Sequence, residues 1–134
     1  PNTERAHFFL TRIYEQTGQY DLAVEHALKE REVFYPGSVA PLREAYRERG
    51  IRGFWQEQIY ILKKESETMF GLENHIASRY ALLGDKTKAC DYVEKNLDVG
   101  GSMMNYGGVD PLFDSLRAEP RFIELVARQD RPVE

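Results

Sequence analysis

Three histidines, one cysteine and two glycine pairs are the residues of this chain whose types could do chemistry, and their spacing decides whether they do. His7, His26 and His75 form neither an i, i+4 pair nor an HExxH frame, the arrangements that bring two imidazoles to one metal ion from a single helix. No metal site is expected; His7 and His75 should make local contacts near helix starts. Cys90 has no second thiol, which excludes an internal disulfide and a cysteine metal cluster. One residue after Ala89, it reads as a small buried group rather than a nucleophile. Gly100-Gly101 and Gly107-Gly108 lack the Lys and the Ser/Thr of a phosphate loop, and no strand pattern precedes them. Nucleophile, base and orienting group are nowhere gathered. The expectation is a protein that is not an enzyme and carries no cofactor.

A structural frame recurs instead. Tyr14-Glu15-Gln16-Thr17-Gly18, Tyr46-Arg47-Glu48-Arg49-Gly50 and Tyr80-Ala81-Leu82-Leu83-Gly84 share the form Tyr-x-x-x-Gly. With 8 Tyr and 10 Gly in 134 residues, chance gives about 0.6 such frames, and the copies lie 32 and 34 residues apart, inside the period of helical repeats.

The segments around each frame read as helices. From Thr3, a candidate N-cap, Ala6, Phe9, Leu10, Ile13 and Tyr14 follow the spacing of an amphipathic helix. Gly18 stops it, since glycine takes the left-handed conformation cheaply. Asp21 is the expected N-cap of a second helix carrying Ala23, Val24, Ala27 and Leu28 to a stop at Tyr35-Pro36-Gly37, which completes an αα-hairpin. Pro41 opens a second unit, with Leu42, Ala45 and Tyr46 before Gly50. Its partner helix, from about Arg52 to Thr68, turns Trp55, Ile59 and Leu62 inward and leaves Lys63, Lys64, Glu65 and Glu67 near an exposed end. The third unit places Ile76, Ala77, Tyr80 and Leu83 before Gly84-Asp85, then Ala89, Cys90, Val93 and Leu97. The expected repeats are about 4–37, 38–70 and 72–99, within one domain spanning 1–134.

Nine residues after each repeated Tyr stand Ala23, Trp55 and Ala89. A small residue there lets the second helix approach the first, because axes roughly 8 to 10 Å apart leave little room. Trp55 breaks the rule: either the middle hairpin is splayed, or its register shifts so that Gly53 makes the close contact.

Beyond Leu97 the pattern fails. Residues 100–108 hold four glycines, too many for a stable helix interior, and the 100–109 linker reads as a short helical turn between flexible ends. Asp110-Pro111 and Glu119-Pro120 each set an acidic residue before Pro, a helix start. Two short capping helices are expected within 110–130, Pro111 to Leu116 and Pro120 to about Gln129, burying Leu112, Phe113, Leu116, Phe122, Leu125 and Val126 as the last unit of an open stack must.

Composition narrows the class further. At 42% hydrophobic and 12% aromatic the chain is too apolar for a disordered segment, and a net charge of −4 argues against a nucleic-acid partner. Lys63-Lys64 is the one adjacent basic pair, and Glu65 and Glu67 follow it. No apolar run approaches a membrane span and no charged-then-apolar leader opens the chain. A cytoplasmic setting is expected, with a periplasmic one still open; the opening Pro1-Asn2-Thr3 reads as cut from a longer protein.

The hairpins resemble tetratricopeptide (TPR) repeats, units of about 34 residues with a Tyr in the first helix, a Gly at the turn and an Ala in the second. The matching residues are Leu10, Tyr14, Gly18, Ala23 and Pro36; then Leu42, Tyr46 and Gly50; then Tyr80, Gly84 and Ala89. Trp55 departs from the pattern, and no unit has the usual Trp early in its first helix. The ending "VDPLFDSLRAEPRF", Val109 to Phe122, is similar to the tail that closes TPR arrays in multidomain bacterial signalling proteins, after a winged-helix regulator, an adenylate cyclase or a serine/threonine kinase domain. The resemblance implies an all-α, right-handed superhelical stack of about three hairpins with capping helices, acting as an interaction or sensory module. The repeated tyrosines and glycines are then framework.

The resemblance also implies a concave groove lined by first helices, with ligand-facing positions at Arg5, Phe8, Arg12 and Glu15, at Glu44, Arg47 and Glu48, and at Asn74, Ser78 and Ala81. The plain alternative is a solvated helix face, against which Phe8 stands out as an aromatic off the apolar stripe. Arginines alternate with glutamates here, whereas a carboxylate clamp needs cations without competing anions. A folded protein, a mixed-charge segment or another domain of the parent protein is therefore the expected partner. Met103, Met104 and Tyr106 form either a contact loop that orders on binding or a connector that covers the last apolar layer. A second functional reading is a small-ligand-sensing effector domain of a transcription regulator or kinase, which a pocket lined by Trp55, Tyr46 and Met103 would favour. Homodimerisation through Phe8 and Phe9 is a further expectation.

Overall fold

A computed structural model describes residues 3–101, 104–105, 108–109 and 111–129, with side chains placed for 9–101 and 111–128. The elements in order are α1 (Thr3–Gln16), α2 (Tyr20–Phe34), a 3-10 turn (Pro36–Ser38), α3 (Val39–Glu65), α4 (Glu73–Leu83), α5 (Lys86–Asp98), β1 (Met104–Asn105), β2 (Gly108–Val109), a 3-10 helix (Pro111–Leu116) and α6 (Pro120–Gln129). The fold is helical, apart from the antiparallel pairing of β1 with β2. Contacts gather into two compact units, Pro1–Gln58 and Ile59–Glu134, divided inside α3. Among the described residues no helix is long and apolar enough to cross a membrane.

The Tyr-x-x-x-Gly frames are helix stops. Gly18 and Gly84 hold φ at +77° and +84°, the left-handed region that costs a residue with a Cβ about 1–2 kcal/mol. That turn lets the next amide reach back. Gln19 N–H donates to the Tyr14 carbonyl at 2.9 Å, and Asp85 N–H to the Tyr80 carbonyl at 3.0 Å, capping the last helical turn. The chain then reverses, so that α2 packs on α1 and α5 on α4. Gly50 also takes a positive φ (+69°) but with an extended ψ of −161°, and it interrupts α3, leaving a first arm, 39–49, and a second, 51–65.

The middle frame differs in register. Tyr14 stacks on His26 and Tyr80 on Tyr92, with ring centroids 5.5 and 5.7 Å apart; each partner lies twelve residues on. Tyr46 instead meets Phe54, eight residues on, edge to face at 6.2 Å. One helical turn, about four residues, separates the two arrangements. Gly53 makes the close contact: a Cβ built there would lie 2.3 Å from the Arg49 Cβ and 3.0 Å from the Ala45 carbonyl oxygen.

In the second unit Ile59 and Leu62 of α3 join Ile76, Ala77 and Tyr80 of α4, Ala89, Cys90 and Val93 of α5, and four residues of the C-terminal elements: Phe113, Leu116, Phe122 and Leu125. The 3-10 helix packs on α4 and α6 on α5. Arg121 and Arg128 of α6 pair with Asp91 and Asp98 of α5. Both pairs are spaced seven residues apart, so the helices hold matching two-turn registers. These ion pairs are half-exposed and each contributes about 0–1 kcal/mol; the buried apolar residues hold α6 in place.

Three expectations are corrected. Asp21 does not cap α2: Gln19 holds that position without a side-chain capping bond, and Asp21, one residue past the helix start, accepts a hydrogen bond from the Tyr46 hydroxyl. The apolar stripe of α1 does not face inward as a set. Phe9 and Ile13 are 42% and 51% exposed while Thr11 and Glu15 are buried. The glycine-rich linker, expected to hold a short helical turn, is extended at its described residues 104–105 and 108–109: Met104 pairs with Val109 and Asn105 with Gly108, glycine being a poor helix former.

Candidate functional site

The residues expected to line one groove fall into separate environments. Arg5 and Phe8 lie on α1 with side chains outside the described residues, so homodimerisation through Phe8 has no geometry here. Arg12 is half-buried. Glu15 is buried, and its carboxylate accepts a hydrogen bond from Trp55 Nε1 at 3.1 Å; the Trp55 ring meets Tyr20 edge-on at 5.6 Å. A buried indole N–H requires an acceptor, so Glu15 serves the interior rather than a ligand. Ser78 is corrected likewise: it is buried and donates to the His75 carbonyl at 2.6 Å, while its oxygen accepts from Arg79 Nε at 3.2 Å. Ile76 through Ala81 are all buried, which leaves α4 no free face at Ala81 either. Asn74 is half-buried, with Oδ1 enclosed and lacking a hydrogen-bond partner. Met103 and Tyr106 lie outside the described residues, as does the Met104 side chain.

Glu44, Arg47 and Glu48 remain at the surface, on the first arm of α3. Arg47 and Glu44 pair at 2.6 Å. The guanidinium holds the Glu44 carboxyl below its ordinary range, and the carboxylate raises Arg47 in turn. Both line a depression of about 560 Å³ with Glu32, Val39, Ala40 and Arg43. A second depression, about 450 Å³, shares Glu32 and Arg43 and adds Asp21, Leu28, Lys29 and Tyr46. Together they follow α2 and the first arm of α3, with Leu28, Val39 and Ala40 among alternating charges. The bond to Asp21, then burial and the carboxylate's charge, pushes the Tyr46 phenol up to about 12. It stays protonated and keeps the two helices tied. Val33 and Phe34, at the end of α2 beside this surface in sequence, are 56% and 59% exposed.

Glu32, on α2, escapes a reading based on first helices alone, and Arg43, on the same arm as Glu44, is not among the expected positions. The available signal is Glu25, Lys29 and Glu32, which share one face of α2 at i, i+4 and i+7. Neither depression is lined by Trp55. Among the described residues no cluster of three or more His, Cys, Asp or Glu could hold a metal ion. Cys90 is buried, and desolvation raises its thiol, so little thiolate is available. Comparisons with protein-family models, curated proteins and solved structures returned no match for this chain.

Proposed function

We propose that this chain is a non-enzymatic, TPR-like interaction module of a larger bacterial regulatory or signalling protein. It holds a protein partner, or another domain of its parent, at the surface between α2 and the first arm of α3. The observation that carries the reading is the pair of depressions that share Glu32 and Arg43, where Glu44 and Arg47 line one of them with Val39 and Ala40, together with the exposure of Val33 and Phe34 at the end of α2. Alternating charges over an apolar base suit a folded or mixed-charge surface, since charge complementarity gives register and the apolar contact gives affinity. The left-handed glycines that close α1 and α4 and break α3 support the repeat reading, and the resemblance of Val109 to Phe122 supports the bacterial regulatory context.

The test is affinity capture from a lysate of the source organism, comparing the chain with an Arg43→Glu, Arg47→Glu variant of equal melting temperature. A protein retained by the first and lost by the second is the expected result. If neither retains a protein while small metabolites raise the melting temperature, the ligand-sensing effector reading replaces this one.

A further inference from the structure

Helix α5 sorts its charges between two sides. Asp91, Glu94 and Asp98 meet Arg121 and Arg128 of α6. Lys88 and Lys95 instead reach the stacked rings of Tyr80 and Tyr92: Lys88 Nζ lies 5.7 Å from the Tyr80 centroid and Lys95 Nζ 4.4 Å from the Tyr92 centroid. Lys63, from α3, arrives at the same pair, 5.2 Å from Tyr80 and 5.7 Å from Tyr92. All three lysines are exposed, Tyr92 is half-buried and Tyr80 is buried. Among the described residues none of the three is ion-paired with a carboxylate. A chain of net charge −4 thus gathers three uncompensated ammonium groups from two helices around one aromatic pair.

We propose that this lysine-ringed tyrosine pair binds an extended acidic peptide segment, with side-chain carboxylates meeting Lys63, Lys88 and Lys95. The ammonium groups only donate, so the ligand must be an anion rich in acceptors. Lys88 and Lys95 stand two turns apart, about 10 Å along α5, beyond the reach of a single carboxylate. Carboxylates two or three residues apart on an extended strand span about 7–10 Å, which matches. Tyr92 offers the segment an apolar edge, and the Tyr80 side chain near Lys63 raises the lysine, keeping it charged. This surface belongs to the unit that lacks the α2–α3 depressions, and the inference stands apart from the proposed function. It concerns internal side chains, not the C-terminal carboxylate that a clamp would hold.

Fluorescence anisotropy of labelled, C-terminally amidated hexaglutamate with the whole 134-residue chain tests it. Saturable binding that weakens with added salt is expected. Three exposed pairs contribute little each, so Lys63→Gln, Lys88→Gln and Lys95→Gln together should weaken binding about tenfold, and Lys95→Gln alone about twofold. Lys29→Gln, Lys64→Gln and Lys86→Gln together remove the same charge elsewhere and should leave binding within about twofold; Arg43→Glu, Arg47→Glu should leave it intact. Absence of saturable binding, or equal weakening by the control triple, overturns the proposal. So does binding of tripolyphosphate or phosphatidylserine vesicles through these lysines when hexaglutamate does not bind.

Discussion

Helices α1 and α4 end in the same five-residue frame and the same backbone bond, yet they bury opposite amounts of themselves. In α1, Phe9 and Ile13 face solvent and the buried positions include Thr11 and Glu15; in α4 six consecutive residues, Ile76 to Ala81, are enclosed. The frame governs how the chain turns, and the neighbours govern which face is inside. Glu15 is drawn in because Trp55 needs an acceptor. Around α4 the C-terminal elements close the remaining side, and Ser115 Oγ donates to the Ala81 carbonyl at 3.2 Å, a second donor to an acceptor that the Gly84 N–H already reaches at 3.0 Å.

The largest expected contrast comes from one phenylalanine on each side of this comparison. Phe113 is fully enclosed, so Phe113→Ala should cost about 3–5 kcal/mol in denaturant unfolding. Phe9→Ala should stay within about 0.5 kcal/mol; a comparable loss would mean that α1 buries the face read here as open.

Gly53→Ala is next, since the added methyl meets the Arg49 Cβ and overpacking of this kind costs about 1–3 kcal/mol. A neutral effect would restore the splayed middle hairpin.

Gly18→Ala and Gly84→Ala should each cost about 1–2 kcal/mol, the penalty for left-handed backbone. Gly37→Ala, where the Cβ meets nothing within 4 Å and φ is not positive, should stay within about 0.5 kcal/mol. Unequal losses at Gly18 and Gly84 would break the equivalence of the two turns.

The smallest effect is confined to alkaline pH. The folded state holds the Tyr46 proton up to about 12, against 10.0 ordinarily. Its stabilising contribution is therefore complete below pH 10 and lost as pH rises from 10 toward 12. Absorbance titration should show one late-ionising tyrosine that disappears in Tyr46→Phe; a chain in which all tyrosines ionise near pH 10 would remove the Asp21 tie.

Local stops and the tail helices are legible in the sequence because they depend on single residues with extreme backbone preferences: the freedom of Gly18, Gly50 and Gly84, and the fixed φ of the prolines at 111 and 120. The tail helices begin and end where Pro111, Leu116 and Pro120 place them. Which face of a helix is buried is less legible, because it depends on partners far away in sequence. Glu15 reads as a solvent-facing charge until Trp55, forty residues on, is beside it. Ser78 reads as a groove position until the elements after residue 110 cover α4. The candidate surface is half legible for the same reason. Glu44 and Arg47 are visible as first-helix positions, whereas Glu32 joins them only when α2 lies alongside.

Site-specific photo-cross-linking tests the central claim most directly. A benzophenone side chain at Ala40, within the larger depression, should give a covalent product with a partner protein in cells of the source organism, and the same group at Glu124, exposed on α6, should give none. A product at Glu124 without one at Ala40, or none at either position, would contradict a partner-binding surface between α2 and the first arm of α3.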